Sequence, residues 1–476
     1  MDERVVDVAI VGAGTAGLNA RREVEKRGAR PLLIESGPYG TTCARVGCMP
    51  SKLLIAAADA AHGIGAAAAL GIHAEARIDG PAVMARVQRE RDRFVAFTVE
   101  ATEAIPAEQR LLGHARFTGP TTLTVGGHTS VSARAIIIAT GSTPFVPPPF
   151  AAIRAHVMVN DDVFELRALP PSLAVIGTGV IALELGQAMQ RLGVRVVFFS
   201  PFDDLGPFSD PTVQAVALRE LSIELDLRLR TRIVAAELGE EGLLLRWEAA
   251  DGTLGEDHFA KVLLAAGRRP NIAGLDLAAS GLSLNAAGLP DVDAATAQCG
   301  NTPIFLAGDV AGHRPLLHEA ADEGRIAGAN AMLWPNVEPH ERRAPLAIAF
   351  TDPQMGMVGL RYDQLPEGDH AIGEVSYERQ GRARVMGRNR GLVRVYGEAC
   401  TGRLLGAEMF GPGMEHMAQL LAWVVQQRMT VPQALMMPFY HPVLEEGLRT
   451  ALRDLAANLK LLDRCRPEDL VESAGQ

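Results

Sequence analysis

Two of the chain's five cysteines fall within "GTTCARVGCMPSK" (40–52), as Cys43 and Cys48. Thiols this close in sequence could be a structural staple, half of a metal site, or a redox pair that opens and closes a disulfide. A metal site needs about four ligands. The other cysteines, Cys299, Cys400 and Cys465, stand alone, with no CxxC and no nearby HxxxH. Structural disulfides are rare in reducing cytosol, where paired cysteines are more often catalytic or metal-binding. In a cytosolic chain the residues therefore favour redox chemistry, and no metal is expected.

Compartment and class follow from coarser features. The N-terminal "MDERVVDVAIVGAG" leads almost directly into a strand-like run, without a signal or Arg/Ser-rich transit pattern. No apolar run looks long enough to span a membrane. We expect a soluble, cytoplasmic protein with no membrane partner. The formal net charge is −10 without a long run of one sign, and aromatics are only 5%, so nucleic-acid binding is not expected. With 476 residues, 48% of them hydrophobic, the chain has material for about three domains.

The elements that would position the cysteines repeat. "VVDVAIVGAGTAGLNAR" is an apolar β-branched run, a glycine turn and a helical pattern; "SLAVIGTGVIALELGQAM" follows the same plan, matching Gly12 with Gly177. Strand, glycine turn and helix are the setting a dinucleotide fingerprint requires, because the free N–H groups of the helix N-terminus face the pyrophosphate. Glu35 lies 23 residues after Gly12, where an acid can bind ribose hydroxyls. The same offset from Gly177 reaches Ser200, so the two sites should hold different nucleotides. "AIIIATGS" (135–142), "KVLLAAGRRPN" (261–271) and "TPIFLAGDV" (302–310) are further strands ending in glycine turns. "PFVPPPF" (144–150) and "WPNVEPHERRAP" (334–345) mark boundaries. Beyond the second, "GLVRVYG" and "RLLGAEMFG" suggest an antiparallel sheet, and "MEHMAQLLAWVVQQRM" an amphipathic helix.

Together, GAGTAG, the cysteine segment, "IIIATGS", the second fingerprint, "AAGRRPN", "IFLAGDV", "FTDPQMGMVGL" and "HPVLEE" resemble, in order and spacing, the class I flavin-dependent pyridine nucleotide–disulfide oxidoreductases. Within them the dihydrolipoamide dehydrogenases are most similar. The resemblance implies an α/β fold: two Rossmann-like nucleotide-binding domains, for FAD and NAD, and a C-terminal α+β dimerisation domain. The expected division is an FAD domain over 1–148 and 272–340, an NAD(P) domain over 149–271, an interface domain over 341–465 and a tail over 466–476.

The same resemblance implies roles. Gly12, Gly14 and Gly17 would meet the FAD pyrophosphate and Glu35 its adenosine ribose. Thr42, Lys52, Thr140 and Gly141 would line the FAD site, and Asp309 would bind its ribityl or pyrophosphate region. Gly177, Gly179, Ser200 and Gly267 would serve NAD. Cys48 would be the thiol beside the flavin and Cys43 the interchange thiol that meets substrate. Lys52 would pair with Glu184. His441, held by Glu446 rather than Glu445, would be the base, supplied by the second subunit of a homodimer. The remaining histidines, His318 included, read as surface or capping residues. Disulfide geometry needs Cα atoms about 4.4–6.8 Å apart. Cys43 is therefore expected on a turn and Cys48 in the first turn of a helix, with Gly40 and Gly47 freeing the backbone.

The implied activity is NAD⁺-dependent oxidation of dihydrolipoamide or a protein-bound dihydrolipoyl group. Thr41, Arg45 and Phe439-Tyr440 depart from the family pattern around the disulfide-substrate entrance, and Ser200 replaces an acidic ribose ligand. "FFSPFDDLG" offers no arginine for a 2′-phosphate; Asp203 and Asp204 add negative charge, and Arg195 lies at the far end of the strand. NAD is expected over NADP. A glutathione-type reductase would need those arginines, a mercuric reductase usually a C-terminal cysteine pair, and a flavoprotein transhydrogenase would lack the first cysteine. A non-catalytic flavoprotein subunit would have no need of both cysteines, His441 and Glu446.

Overall fold

The apolar runs before the two glycine turns are continuous rather than alternating, as strands covered on both faces require. Val8, Ala9 and Ile10 are fully buried in the strand Asp2–Val11, and Leu173, Ala174 and Val175 in Ser172–Ile176. These strands lie in different parts of the computed structural model, which describes residues 2–240 and 242–460. Cys465 and the expected tail over 466–476 lie outside the described residues. The chain divides into two compact units, one comprising Met1–Pro50, Arg86–Phe145 and Gly267–Arg342, the other Ser51–Ala85, Val146–Ala266 and Arg343–Gln476.

The first unit is organised by the strand Thr129–Ile138. It pairs in parallel with Asp2–Val11 and Ile304–Leu306, and antiparallel with Thr122–Val125, which continues to Ala115–Gly119. Pro31–Glu35 and Arg110–Leu112 extend the parallel side. The helices Thr15–Lys26 and Leu317–Leu333 pack closely. A Cβ on Gly324 would stand 2.2 Å from the Ala16 carbonyl oxygen, and one on Gly328 2.7 Å from that of Ala20.

The second unit holds an all-parallel sheet ordered Asp226–Arg228, Arg195–Phe199, Ser172–Ile176, Lys261–Leu264, Met158–Val159. A three-stranded antiparallel sheet, Thr231–Gly239, Gly242–Ala249 and Leu254–Phe259, accompanies it. The expected C-terminal antiparallel sheet has five strands, in the order Leu346–Ala349, Gln354–Gly359, Leu404–Gly411, Leu392–Glu398, His370–Ser376. The helices Met414–Gln426 and Glu446–Asn458 share its core. The carboxylate of Glu408, fully buried on this sheet, accepts hydrogen bonds from Ser209 N, Ser209 Oγ, Asp210 N and Tyr362 N at 2.7–3.0 Å. Asp210, also fully buried, accepts from Arg394 at 2.7 Å and from the Tyr396 hydroxyl at 2.9 Å.

One expectation needs correction. The helical run Thr42–Leu70 is long and apolar enough to cross a membrane by length and composition, and only 11% of its most apolar window is buried. Its alanines keep it apolar without giving it the large side chains that mark a core. Its charged residues are docked on the second unit, however. Lys52 pairs with Glu184 at 2.7 Å and Asp59 with Arg191 at 3.1 Å, both on the helix Val180–Arg191. These two ion pairs tie the stretch to the helix Val180–Arg191.

Candidate active site

The cysteine segment is bent by Gly47. Cys43 lies not on a turn, as expected, but inside the short helix Thr42–Val46; Cys48 opens the helix Cys48–Ala66. A Cβ on residue 47 would stand 3.1 Å from the Thr42 carbonyl oxygen and 3.2 Å from Cys43 Cα, so glycine lets the two short stretches fold against each other. Cys43 is half-buried and Cys48 exposed. Thr41, one of the departures from the family pattern, has φ of 55°. That is a strained value for a β-branched residue. Its hydroxyl oxygen caps the short helix by accepting from Ala44 N at 3.4 Å. Burial pushes the Cys299 thiol up to about 12, which keeps it protonated and unreactive.

Around Gly12 the first unit forms a cradle. A Cβ on Gly12 would lie 2.3 Å from the Ala139 carbonyl oxygen, and one on Gly17 1.9 Å from that of Gly12. Gly14 faces open space, and the helix Thr15–Lys26 has no side-chain cap. Glu35 reaches this turn. Its Oε2 accepts from Ala13 N at 2.7 Å, and its Oε1 from Ser36 N and Gly37 N at 2.8 Å. The Thr140 hydroxyl oxygen is shielded from solvent and has no hydrogen-bond partner among the described residues. Gly141 holds φ of 70°, and its carbonyl accepts from Asn271 N. An uncapped helix N-terminus, an open glycine and an orphaned hydroxyl fit a bound dinucleotide such as FAD, which would satisfy all three.

The sequence reading missed the residues that steady Asp309. Its Oδ2 accepts from the Ser142 hydroxyl at 2.7 Å; Ser142 Oγ accepts from Arg268 Nε at 2.7 Å. The preceding Gly308 N donates to Glu323 Oε2 at 2.7 Å. Glu323 and Glu319 are almost completely buried on the helix Leu317–Leu333, and Arg342 pairs with both. Two acids inside an alanine-rich helix were the available signal, because buried carboxylates demand partners.

The second unit carries the second turn. A Cβ on Gly177 would lie 2.5 Å from the Ala265 carbonyl oxygen; Gly179 faces open space at an uncapped helix N-terminus. Ser200 is buried, and its Oγ accepts from Phe202 N at 3.2 Å. Gly267, at φ of 105°, falls within the first unit, where its carbonyl accepts from Phe145 N.

Two polar pairs complete the inventory. Lys52, four residues after Cys48 on the same helix, places Nζ 2.7 Å from Glu184 Oε2 and 4.4 Å from the Phe350 ring centroid. Glu184 is almost buried, and its other oxygen accepts from Phe350 N at 2.9 Å. His441 Nδ1 lies 2.9 Å from Glu446 Oε1, while Glu446 Oε2 accepts from Val443 N at 3.1 Å. Glu446 is 7% exposed at its side chain and His441 57%. A fixed, shielded carboxylate on Nδ1 orients the imidazole and leaves Nε2 to exchange a proton. Glu445 has no such contact with His441 and instead precedes the helix Glu446–Asn458. Among the described residues, Asp369, Glu398 and Cys400 are close enough to share a cation, but Glu398 is already engaged by Arg403 at 3.0 Å.

Comparison with known proteins identifies the family and the fold. The family model described as pyridine nucleotide-disulphide oxidoreductase matches residues 6–324, and its dimerisation domain residues 346–452. Dihydrolipoyl dehydrogenase 3 of Pseudomonas aeruginosa is 31% identical over 94% of this chain and 97% of its own. A mercuric reductase of Streptomyces lividans is also 31% identical, over 96% and 98%. The crystal structure of LpdA from Mycobacterium tuberculosis superposes with a TM-score of 0.80 at 24% identity, covering 95% of this chain and 99% of that one, and shows the same fold. With a glycine cradle, a cysteine pair and a two-part family match over most of its length, the chain belongs to the class I pyridine nucleotide–disulphide oxidoreductases, a family of FAD-dependent enzymes.

Proposed function

We propose that the protein is a cytoplasmic, homodimeric dihydrolipoyl dehydrogenase that oxidises dihydrolipoamide or protein-bound dihydrolipoyl groups and delivers hydride to NAD⁺. The observation that carries this reading is the His441–Glu446 pair in a chain that also keeps Cys43 and Cys48. A dithiol substrate must lose two protons as it is oxidised, and an imidazole oriented by a carboxylate offers a placed acceptor for them.

In the proposed cycle, His441 of the partner subunit takes a proton from one substrate thiol. The resulting thiolate attacks Cys43 of the Cys43–Cys48 disulfide and releases Cys48 as a thiolate. The second substrate thiol closes on the first sulfur and passes its proton to the departing Cys43 sulfur, forming the lipoyl disulfide and freeing Cys43 as a thiol. Lys52, held by Glu184, keeps positive charge near the opening of the cysteine helix. Glu35, Thr140 and Asp309 would hold FAD, which would supply a two-electron carrier between the reduced cysteines and the nicotinamide. The balance is dihydrolipoyl plus NAD⁺ giving lipoyl, NADH and one proton.

The mercuric reductase relative supports a second reading, metal-ion reduction. A histidine–carboxylate base suits a dithiol better than a metal ion, which brings no proton to remove. Turnover with lipoamide, glutathione disulfide, coenzyme A disulfide and mercuric ion separates the readings; preference for anything but lipoamide overturns the proposal. His441→Ala is expected to cut lipoamide turnover by at least about 100-fold, the low end for general acid–base catalysis. Heterodimers of Cys43→Ser and His441→Ala subunits should regain one working site. No recovery in verified heterodimers would sink the shared site.

A further inference from the structure

The loop after the second nucleotide strand reads in sequence as hostile to a 2′-phosphate, since Asp203 and Asp204 follow Ser200. The structure adds a cation to this loop from thirty residues away in sequence. Residues 228–231 run beside residues 200–202. Ser200 N donates to Arg228 O at 3.1 Å, Thr231 N to Ser200 O at 2.7 Å, and Arg230 N to Phe202 O at 3.1 Å. Arg230 sits at φ of 51°, uncommon for a residue other than glycine. Its guanidinium meets Asp203: Nε donates to Oδ2 at 3.0 Å, and Nη2 donates to the same oxygen. The Asp203 carboxyl is held below the usual carboxylate range by these hydrogen bonds.

The loop is also fastened to the glycine turn. Thr178 Oγ1 donates to Asp204 O at 2.7 Å, and Gly206 N donates to Thr178 O at 2.9 Å. Arg230 is therefore anchored to the loop that follows the ribose-offset residue Ser200. Neighbouring arginines are committed elsewhere. Arg228 is held by Asp226 and Asp257 and lies 5.2 Å from the Phe199 and Trp247 ring centroids. Arg195 donates to His258 O and stacks on Phe259. Arg230 and Asp203 have only each other as ion-pair partners among the described contacts, and both are exposed (66% and 57%).

We propose that Arg230 is a nucleotide-selecting residue that exchanges Asp203 for a 2′-phosphate, so that the second site accepts NADP(H) as well as NAD(H). An exposed ion pair is weak, so releasing Asp203 into water costs little. A phosphate monoester offers nearly two charges and three acceptor oxygens to the same guanidinium fork. The buried, neutral Ser200 adds no charge to repel it, where a ribose-binding acid would. The inference rests on reading the second turn as a nicotinamide-nucleotide site, not on the identity of the disulfide substrate.

Calorimetric titration of the FAD-loaded full chain with 5′-AMP and with 2′,5′-ADP tests it. The wild type should bind 2′,5′-ADP at least as tightly as AMP. Arg230→Ala and Arg230→Gly, the latter suited to the positive φ, should weaken 2′,5′-ADP by at least about tenfold, the value of one charge-assisted hydrogen bond, and leave AMP unchanged. Asp203→Asn should strengthen 2′,5′-ADP. Arg230 variants that leave the affinity ratio unaltered, or a wild type that binds AMP and excludes 2′,5′-ADP, overturn the proposal. Failure of both probes to bind overturns it together with the nucleotide reading of this turn. Lost lipoamide turnover with the expected affinity ratios touches only the substrate assignment.

Discussion

The two glycine turns share a plan and differ in their grip. In the first, the third fingerprint position must be glycine, because a Cβ on Gly17 would collide with the Gly12 carbonyl oxygen at 1.9 Å. In the second, that position is Ala182, fully buried, and close packing has moved one turn along, to Gly186 against the Phe198 ring at 2.2 Å. The first turn is ringed by a carboxylate bound to three backbone N–H groups; the second ends in a neutral serine bound to one. The first is built for a resident cofactor. The second has fewer fixed charges at the equivalent position, as the exchangeable nicotinamide nucleotide we propose there would need.

The sharpest way to break this comparison is Gly17→Val. The added side chain cannot be accommodated, and the purified protein should carry no FAD, read as the loss of flavin absorbance relative to protein. The matching change in the second unit, Ala182→Gly, should retain FAD and lower stability by only about 1 kcal/mol, the usual helix cost of glycine. A thermal melt checks that. Equal damage from both would mean the turns are equally demanding.

Glu35→Ala should have the next largest effect. Removing a charged acceptor from backbone donors costs about 1.5–3 kcal/mol per bond. FAD dissociation during dialysis should therefore be faster by at least tenfold, on the order of one such bond. Ser200→Ala should leave flavin content untouched. Smallest of all, Ser200→Glu should lower the KM for NAD⁺ by roughly a few-fold, within the range of a charge-assisted ribose bond, and weaken any use of NADP⁺. A rise in the NAD⁺ KM would show that residue 200 does not face the ribose.

Local features were legible in the sequence. The glycine turns, the cysteine spacing and the His441–Glu446 interval declare themselves within a few residues, because one turn of chain sets their geometry. Three things were not. Ser142 and Arg268 reach Asp309 only because the strands Ser142–Pro144 and Arg268–Pro270 pair. Arg230 reaches Asp203 only because neighbouring strands end side by side. The helix around Cys43 was missed because it ends after five residues, too short for periodicity to show. Each miss is long-range, or briefer than the pattern that would reveal it.

The buried carboxylate of Glu408 has a consequence for how the protein could be cut or recombined. It receives four hydrogen bonds, three of them from Ser209 and Asp210 on the loop beyond the second nucleotide strand and one from Tyr362. Separating the chain at residue 343, between the two matched family segments, would strand a negative charge in one fragment's interior and leave three donors bare in the other. Leaving a buried charge unpaired costs about 3–5 kcal/mol, a large share of what a domain has to spare. A nucleotide-binding half grafted from a relative would need its own Ser209–Asp210 equivalent to meet this acid. The boundary that sequence families draw here is therefore a poor place for a molecular scalpel, and chimaeras should carry residues 146–266 and 343–460 together.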